Sequence, residues 1–347
     1  MGKCLVTKLQ GSVNDSNLLK IGEMPIYVRK SNNAQASQYK LTVKTLKDSK
    51  VEIIGDGYFT DEGMMTNKGK IITIPANTIT TLWFSNGDYE ARISNKYGIT
   101  TFNLTDDGSL RENFISINLN DLSFSDNLEN LKLTNSKSNG TVESLQGKNL
   151  VNVFLSNTEV TGNAKSINID RLAGLSISAK NISYDLSNLA GTTNLINLGF
   201  SNTYLQTGNL SNLAGNTRLE YIGVIGMGLE GDLSVVNNFT NLKQNVLQNQ
   251  SLNVTCDIGK LSDKIVYLTN GNKVVEFTYS KGSRTVILGC YNVKLSNIDT
   301  YLNDMANLSV PTSDYKYISL FGARTSASDA AVQTLQSKGY TVSITPA

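Results

Sequence analysis

The sequence predicts a β-rich, multi-domain chain. It reads as an N-terminal antiparallel β-sandwich or barrel (residues 1–112), a solenoid of stacked parallel-β coils (113–290) and an α/β C-terminal cap (291–347). Three observations predict it. Leu128, Leu150, Leu172, Leu195, Leu219 and Leu242 recur at intervals of 22, 22, 23, 24 and 23 residues. Before them, short β-rich runs alternate with Gly-, Asn- and Asp-containing turns, and no helical period competes. After them, two segments of helical spacing alternate with apolar strands.

The repeat carries three marks. Each Leu opens an apolar run: Leu128-Leu131-Leu133, Leu150-Val153-Leu155, Leu172-Leu175-Ile177, Leu195-Leu198-Phe200 and Leu219-Ile222-Val224. The sixth run is degraded, with Asn245 between Leu242 and Leu247. Seven residues after each Leu stand Asn135, Asn157, Ala179, Asn202, Gly226 and Asn249. About twelve after it comes Gly140, Gly162, Gly208 or Gly231, with Tyr184 in the third copy. A period of about 20–29 residues with these marks is the signature of leucine-rich repeats. One coil cannot bury its own apolar stripe, but stacked coils bury one another's. The apolar residues then point inward and the residues between them form a concave outer face. The Asn ends the strand, where its amide can bond the backbone of neighbouring coils, and the Gly permits a turn that other residues resist. The rival architecture is a right-handed parallel β-helix of similar coil length.

In chain order, strands are expected at Cys4–Leu9, Pro25–Arg29, Tyr39–Leu46, Val51–Ile54, Lys70–Ile74, Thr80–Phe84, Tyr89–Ile93 and Ile99–Leu104. Gly55-Asp56-Gly57, Asn67-Lys68-Gly69, Asn86-Gly87-Asp88 and Asp106-Asp107-Gly108 supply turns. Phe114–Phe124 reads as an extra strand and short coil covering the first repeat. Ile265–Asn270 follows Leu242 by 23 residues and reads as a seventh, irregular coil. Val274–Tyr279 and Arg284–Cys290 are expected strands. Leu295–Leu308 has helical spacing and is followed by Pro311. Tyr315–Phe321 reads as a strand. Ser326 and Asp329 form a capping box for a helix that ends at Gly339, and Tyr340–Ile344 is the last strand.

Composition narrows the function more by exclusion than by signal. The 347 residues carry a net charge of +2 with 17% charged residues, which gives no nucleic-acid footprint. There is no histidine, so the commonest general base and metal ligand are both missing. Cys4, Cys256 and Cys290 form no C-x-x-C pair and read as buried free thiols. The opening residues have no apolar signal segment, and no later stretch reads as a membrane span, so a soluble chain without membrane insertion is expected. No cofactor or metal site is expected either. Gly226-x-Gly228-x-x-Gly231 looks like a dinucleotide fingerprint, but no acidic residue lies between Asn241 and Thr255 and the repeat register already explains the glycines. Gly63, Gly69 and Lys70 mimic a phosphate-binding loop with the wrong gap, and Ile71 stands where a hydroxyl is required. Asp61-Glu62, Asp88/Glu90 and Glu230/Asp232 bring carboxylates close enough to suggest glycoside hydrolysis, and equally read as solvated turns.

The expected concave face is the candidate binding site: Asn130, Lys132, Asn152, Phe154, Ser176, Asn197 and Tyr221. Within the repeats only Lys132 is charged there, so phosphate backbones would find no match. The face offers no proton-transfer group. Phe154 and Tyr221 could anchor a protein or neutral glycan, although the same small polar residues would also serve simply to keep the sheet smooth.

Two terminal phrases, KCLVTKLQGSVNDSNLLKIGEMPI (3–26) and FGARTSASDAAVQTLQSKGYTVSI (321–344), together with NLSNLAGNTRLEYI (209–222), resemble leucine-rich-repeat structural proteins of crAss-like tailed bacteriophages of gut Bacteroidales. The resemblance implies a non-enzymatic virion protein assembled in the host cytoplasm, such as a head fibre, decoration or tail protein. In that setting residues 1–112 would bind other capsid or tail proteins as a homo-oligomer, and the repeats would face a host-surface glycan or protein. The alternatives are a tail-associated glycan-binding or depolymerising protein and a cytoplasmic bacterial scaffold.

Overall fold

A computed structural model describes residues 22–29, 39–59, 69–85, 88–106, 115–201, 206–225, 228–248, 253–270 and 275–346. Cys4–Leu9, most of the first resemblance phrase, Asp61-Glu62, Gly63, Asn202, Gly226 and Asn249 lie outside these residues.

Short alternating runs make the first strands: β1 Met24–Val28, β2 Tyr39–Thr45, β3 Ser49–Ile54, β4 Ile71–Ile74, β5 Thr80–Phe84, β6 Tyr89–Ile93, β7 Ile99–Asp106 and β8 Ile115–Ser116. In β2 every second residue is buried, the two-residue period of a half-buried strand. These strands pair as two sets. One is an antiparallel sheet ordered β4-β3-β6-β1-β8. The other, β5-β2-β7, is also antiparallel, but β7 then lies parallel to β9 (Asn130–Thr134), with Thr101 to Thr105 opposite Asn130 to Thr134. The sheet therefore runs from the antiparallel strands into the repeats without a break between β7 and β9.

From there it continues as a parallel ladder through β10 Asn152–Ser156, β12 Gly174–Ser178, β14 Asn197–Phe200, β16 Tyr221–Ile225, β18 Gln244–Gln248, β20 Tyr267–Asn270, β22 Gly289–Leu295, β23 Tyr317–Phe321 and β24 Thr341–Thr345. A small strand, β21 (Glu276–Phe277), joins β22. A second, short parallel sheet runs along another side of the coils: β11 Gly162–Asn163, β13 Ile182–Asp185, β15 Gln206–Asn209, β17 Gly228–Asp232 and β19 Asn253–Thr255. Together these coils form a leucine-rich-repeat-like solenoid. The degraded sixth copy keeps its place, with Asn245 opposite Ile222.

The repeat marks have separate physical tasks. The inward residues Leu131, Leu133, Val153, Leu155, Leu175, Ile177, Leu198, Phe200, Ile222 and Val224 are all buried. Facing them, each coil turns through a short 3-10 segment that buries residues three apart, such as Leu186/Leu189 and Leu210/Leu213. Asn135 and Asn157 end their strands at positive φ, +50° and +54°. The Asn157 amide donates to the Asn135 side-chain oxygen at 3.1 Å, so these marks bond each other between coils as well as ending the strand. At the glycine mark, Gly208 has φ +129°, and a Cβ there would stand 2.7 Å from the Leu186 nitrogen.

The short strand and coil expected before the first repeat are present as β8, paired with β1, and a 3-10 turn at Leu119–Phe124 that lies against the first coil through the Leu119 nitrogen and the Asn139 carbonyl at 2.8 Å. Three local expectations need correction. The strand expected at Arg284–Cys290 begins only at Gly289, because Arg284 and Thr285 bond the preceding coil and Val286 and Ile287 pair with Ser309. The capping box at Ser326 does not form. Thr325 caps a 3-10 turn by accepting from the Ala327 nitrogen, and α2 (Asp329–Ser337) starts after it. Finally, the first helix, α1, is shorter than its pattern, Ile298–Ala306. It is closed by Lys338, whose ammonium donates to the Ala306 and Leu308 carbonyls at 2.7 Å each.

Candidate functional site

The seven candidate residues all lie on the outward face of the long sheet, in two rows set by the ladder register. Asn130, Asn152, Gly174, Asn197 and Tyr221 are successive partners in one row. Lys132, Phe154, Ser176, Gly199 and Gly223 form the next. Neighbours within a row stand about 4.8 Å apart, the spacing of paired strands. Side chains lean over the glycines, along a row or across to the next. A Cβ at Gly174 would meet the Asn152 amide at 2.5 Å and the Phe154 ring at 3.2 Å, and one at Gly223 would meet the Tyr221 hydroxyl at 2.3 Å. Asn152 donates to the Asn130 side-chain oxygen at 2.7 Å, so part of their polar capacity is spent within the sheet.

The face is longer than the repeat alone indicates. Because β7, β2 and β5 belong to the same sheet, Thr101, Asn103 and Thr105, then Lys40, Thr42 and Lys44, then Thr81 and Trp83 extend the rows. Lys40 stands over the Trp83 ring at 5.1 Å. The extension adds Lys40 and Lys44 to Lys132, and places a basic, aromatic end on a face that is otherwise small and uncharged. Beside Lys44 a cleft of about 220 Å³ contains Glu129 and Arg171, paired at 3.3 Å. Toward the opposite end the face turns to tyrosines, Tyr267, Tyr291, Tyr315 and Tyr317, before the edge strand β24. Sequence reasoning missed these, although Tyr267, Tyr291 and Tyr315 continue the repeat period at intervals of 24.

The carboxylate pairs stand elsewhere. Glu230 and Asp232 lie on β17 of the short sheet, and Asp232 accepts from the Ser234 nitrogen at 2.8 Å as the cap of the following 3-10 turn. Glu90 pairs with Arg92 at 2.7 Å. Asp185 accepts from the Ser187 nitrogen and the Thr207 hydroxyl, and the bonding from Ser187 holds its carboxyl below the ordinary value. Asp232 and Asp185 are thus occupied in fixing coil turns, and Glu90 in an ion pair of the antiparallel sheet. Among the described residues no three His, Cys, Asp or Glu side chains group to hold a metal ion. Cys256 and Cys290 are buried free thiols, pushed up by burial. The fingerprint-like glycines open no helix, since Gly228 and Gly231 lie in β17 and a 3-10 turn follows at Leu233–Asn238. Among the described residues no helix is long and apolar enough to cross a membrane.

No family model and no curated protein matches the chain. Among solved structures it is similar to the Arabidopsis receptor kinase HAESA in its crystal structure with the peptide hormone IDA and the co-receptor SERK1. The TM-score is 0.36 at 16% identity, over 62% of this chain and 40% of that one. The chain thus spans less than half of the receptor chain it matches.

Proposed function

We propose that the chain is a non-enzymatic interaction protein that works through the outward face of its long sheet, as a surface component of a tailed-bacteriophage virion, a head fibre or decoration. One observation carries the interaction reading. The ladder sets a single face of mostly small, hydrogen-bonding residues, with Lys132, Phe154 and Tyr221 among them, between a Lys/Trp end and a tyrosine end, while Asp185 and Asp232 cap coil turns on the short sheet. Such a surface suits recognition of a protein or glycan and lacks the paired proton-transfer groups that hydrolysis needs. The virion reading draws on the resemblance of the terminal phrases. In it residues 1–112 seat a homo-oligomer on capsid or tail, and the solenoid projects toward the host surface.

Mass spectrometry and cryo-electron microscopy of purified phage particles test this reading. The expected result is a fixed copy number with residues 1–112 against shell or tail. Absence from particles would sink the virion role and leave a cytoplasmic scaffold in its place.

A further inference from the structure

At the C-terminal end of the outward face, four tyrosines replace the small residues. Tyr267 stands on β20, Tyr291 on β22, Tyr317 on β23, and Tyr315 on the loop that enters β23. Tyr267 and Tyr315 stack with ring centroids 4.8 Å apart and planes 23° from parallel. Tyr291 and Tyr317 meet edge to face at 6.4 Å and 75°. Tyr291, Tyr315 and Tyr317 stay 46%, 41% and 47% exposed, so one small area concentrates large aromatic surface in water.

The backbone builds this cluster. Gly289 is the ladder partner of Tyr267. A Cβ there would come within 3.0 Å of the Tyr267 ring and about as close to the Tyr315 and Tyr317 carbonyl oxygens. Asn292 takes φ +57° where the register of β22 shifts against β23, a bulge that re-aims the strand after Tyr291. Ser319 donates to the Asn292 side-chain oxygen at 3.3 Å across that bulge. Around the rings the outward positions are Thr269, the ladder partner of Tyr291, Thr341, the partner of Tyr317, and Ser319 with its partner Ser343. None of these is charged.

We propose that this tyrosine platform is a binding subsite for a neutral polysaccharide. The inference rests on the reading of the outward face as the working surface and names its ligand. A tyrosine ring presents a flat apolar face with a polar tip, which matches the C–H face and hydroxyl rim of a pyranose. The Thr, Ser and Asn groups between the rings supply adaptable hydrogen bonds at the same level. The outward strand positions around the rings carry no charge to pair with phosphate, uronate or a charged peptide, and Lys294, on the strand of Tyr291, is already paired with Glu276 at 3.3 Å. A protein hot spot concentrates in desolvated pockets at the centre of a patch, whereas these rings stand open on a sheet surface.

The test is titration of the full-length protein with neutral hexasaccharides: cellohexaose, laminarihexaose, maltohexaose, mannohexaose and chitohexaose. Calorimetry and tyrosine fluorescence are the readouts. At least one sugar is expected to bind with an affinity insensitive to salt. Tyr291→Ala and Tyr317→Ala should each weaken it by about tenfold or more. Tyr291→Phe and Tyr317→Phe should keep most of the affinity, and Ile71→Ala, at an exposed apolar residue on β4 of the separate antiparallel sheet, should change nothing. Circular dichroism melts of the variants separate lost binding from lost folding. Failure of every sugar to bind, or binding that survives loss of both rings, overturns the proposal. So does tyrosine-dependent binding of an unglycosylated protein without any sugar response. The titration uses isolated protein, so its outcome is independent of whether the chain is found on particles.

Discussion

Arg284 shows how a single residue can fix the spacing of two coils. Its side chain is only 4% exposed, and it donates to the carbonyls of Leu261, Ser262 and Ile265 at 2.8, 2.9 and 3.0 Å, with Asp263 at 3.9 Å. Burial lowers its pKa, yet a guanidinium stays charged, so the fork of donors is permanent. Arg284→Met leaves those carbonyls without partners and should lower the unfolding free energy by about 2–4 kcal/mol, read from urea denaturation. Arg284→Lys, with one nitrogen in place of the fork, should cost roughly half as much. The carboxylates act by a different route. The Asn163 backbone nitrogen donates to Glu143 at 2.8 Å and lowers its pKa, as Ser187 does for Asp185. Both groups sit below their unfolded values of about 4.3 and 3.9, so their native bonds stabilise the fold fully above about pH 5. That stabilisation is lost as pH falls through the lower, native values. Asp185→Asn should therefore flatten the acid limb of a melting-temperature profile and leave its neutral limb parallel to that of the parent.

At the scale of the element, the coil is a strand, a positive-φ turn and a 3-10 segment, and its glycines are unequal. Gly208 (φ +129°) would bring a Cβ against the Leu186 backbone, whereas Gly147 (φ +75°) has open space around it. Gly208→Ala should cost about 2–4 kcal/mol from strain plus overlap, and Gly147→Ala about 1 kcal/mol from strain alone, compared by their denaturation midpoints. The same element shows how much was legible. Leu, Asn and Gly in one register specified the ladder, since a coil that loses its inward stripe loses its neighbours. A fourth mark was present and passed over. Asn118, Asn163, Asp185, Asn209, Asp232 and Asp257 each cap a 3-10 segment by accepting from the nitrogen two residues on. In Gly162-Asn163, Gly208-Asn209 and Gly231-Asp232 the cap directly follows the glycine mark. The short second sheet gave no signal, because strands of two to five residues are too brief to show a period.

For the whole molecule, what the sequence hid was continuity. Ile99–Leu104 alternates like its antiparallel neighbours, and nothing in its composition says that one of its edges pairs in parallel with Asn130–Thr134. Strand pairing depends on which edge remains free, which local pattern does not encode. For the same reason the sequence marks no face beyond the first repeat, and nothing in it ties Lys40, Lys44 and Trp83 to the repeat rows. The tyrosine end keeps the 24-residue spacing, but spacing alone does not show that Tyr315, on the loop before β23, stacks on Tyr267.

That unbroken ladder also makes the protein a mechanical object. Its strands lie across the long axis, so a pull on the two ends loads the coil-to-coil junctions in series, and the weakest yields first while the rest hold. Among the described residues, β9–β10 and β10–β12 are joined over five residue pairs and β18–β20 over two. Stretched between its ends in an optical trap, the chain should extend in steps of roughly one coil, the first opening between Gln244–Gln248 and Tyr267–Asn270. A protein built this way would give under shear at a set place and close again when released.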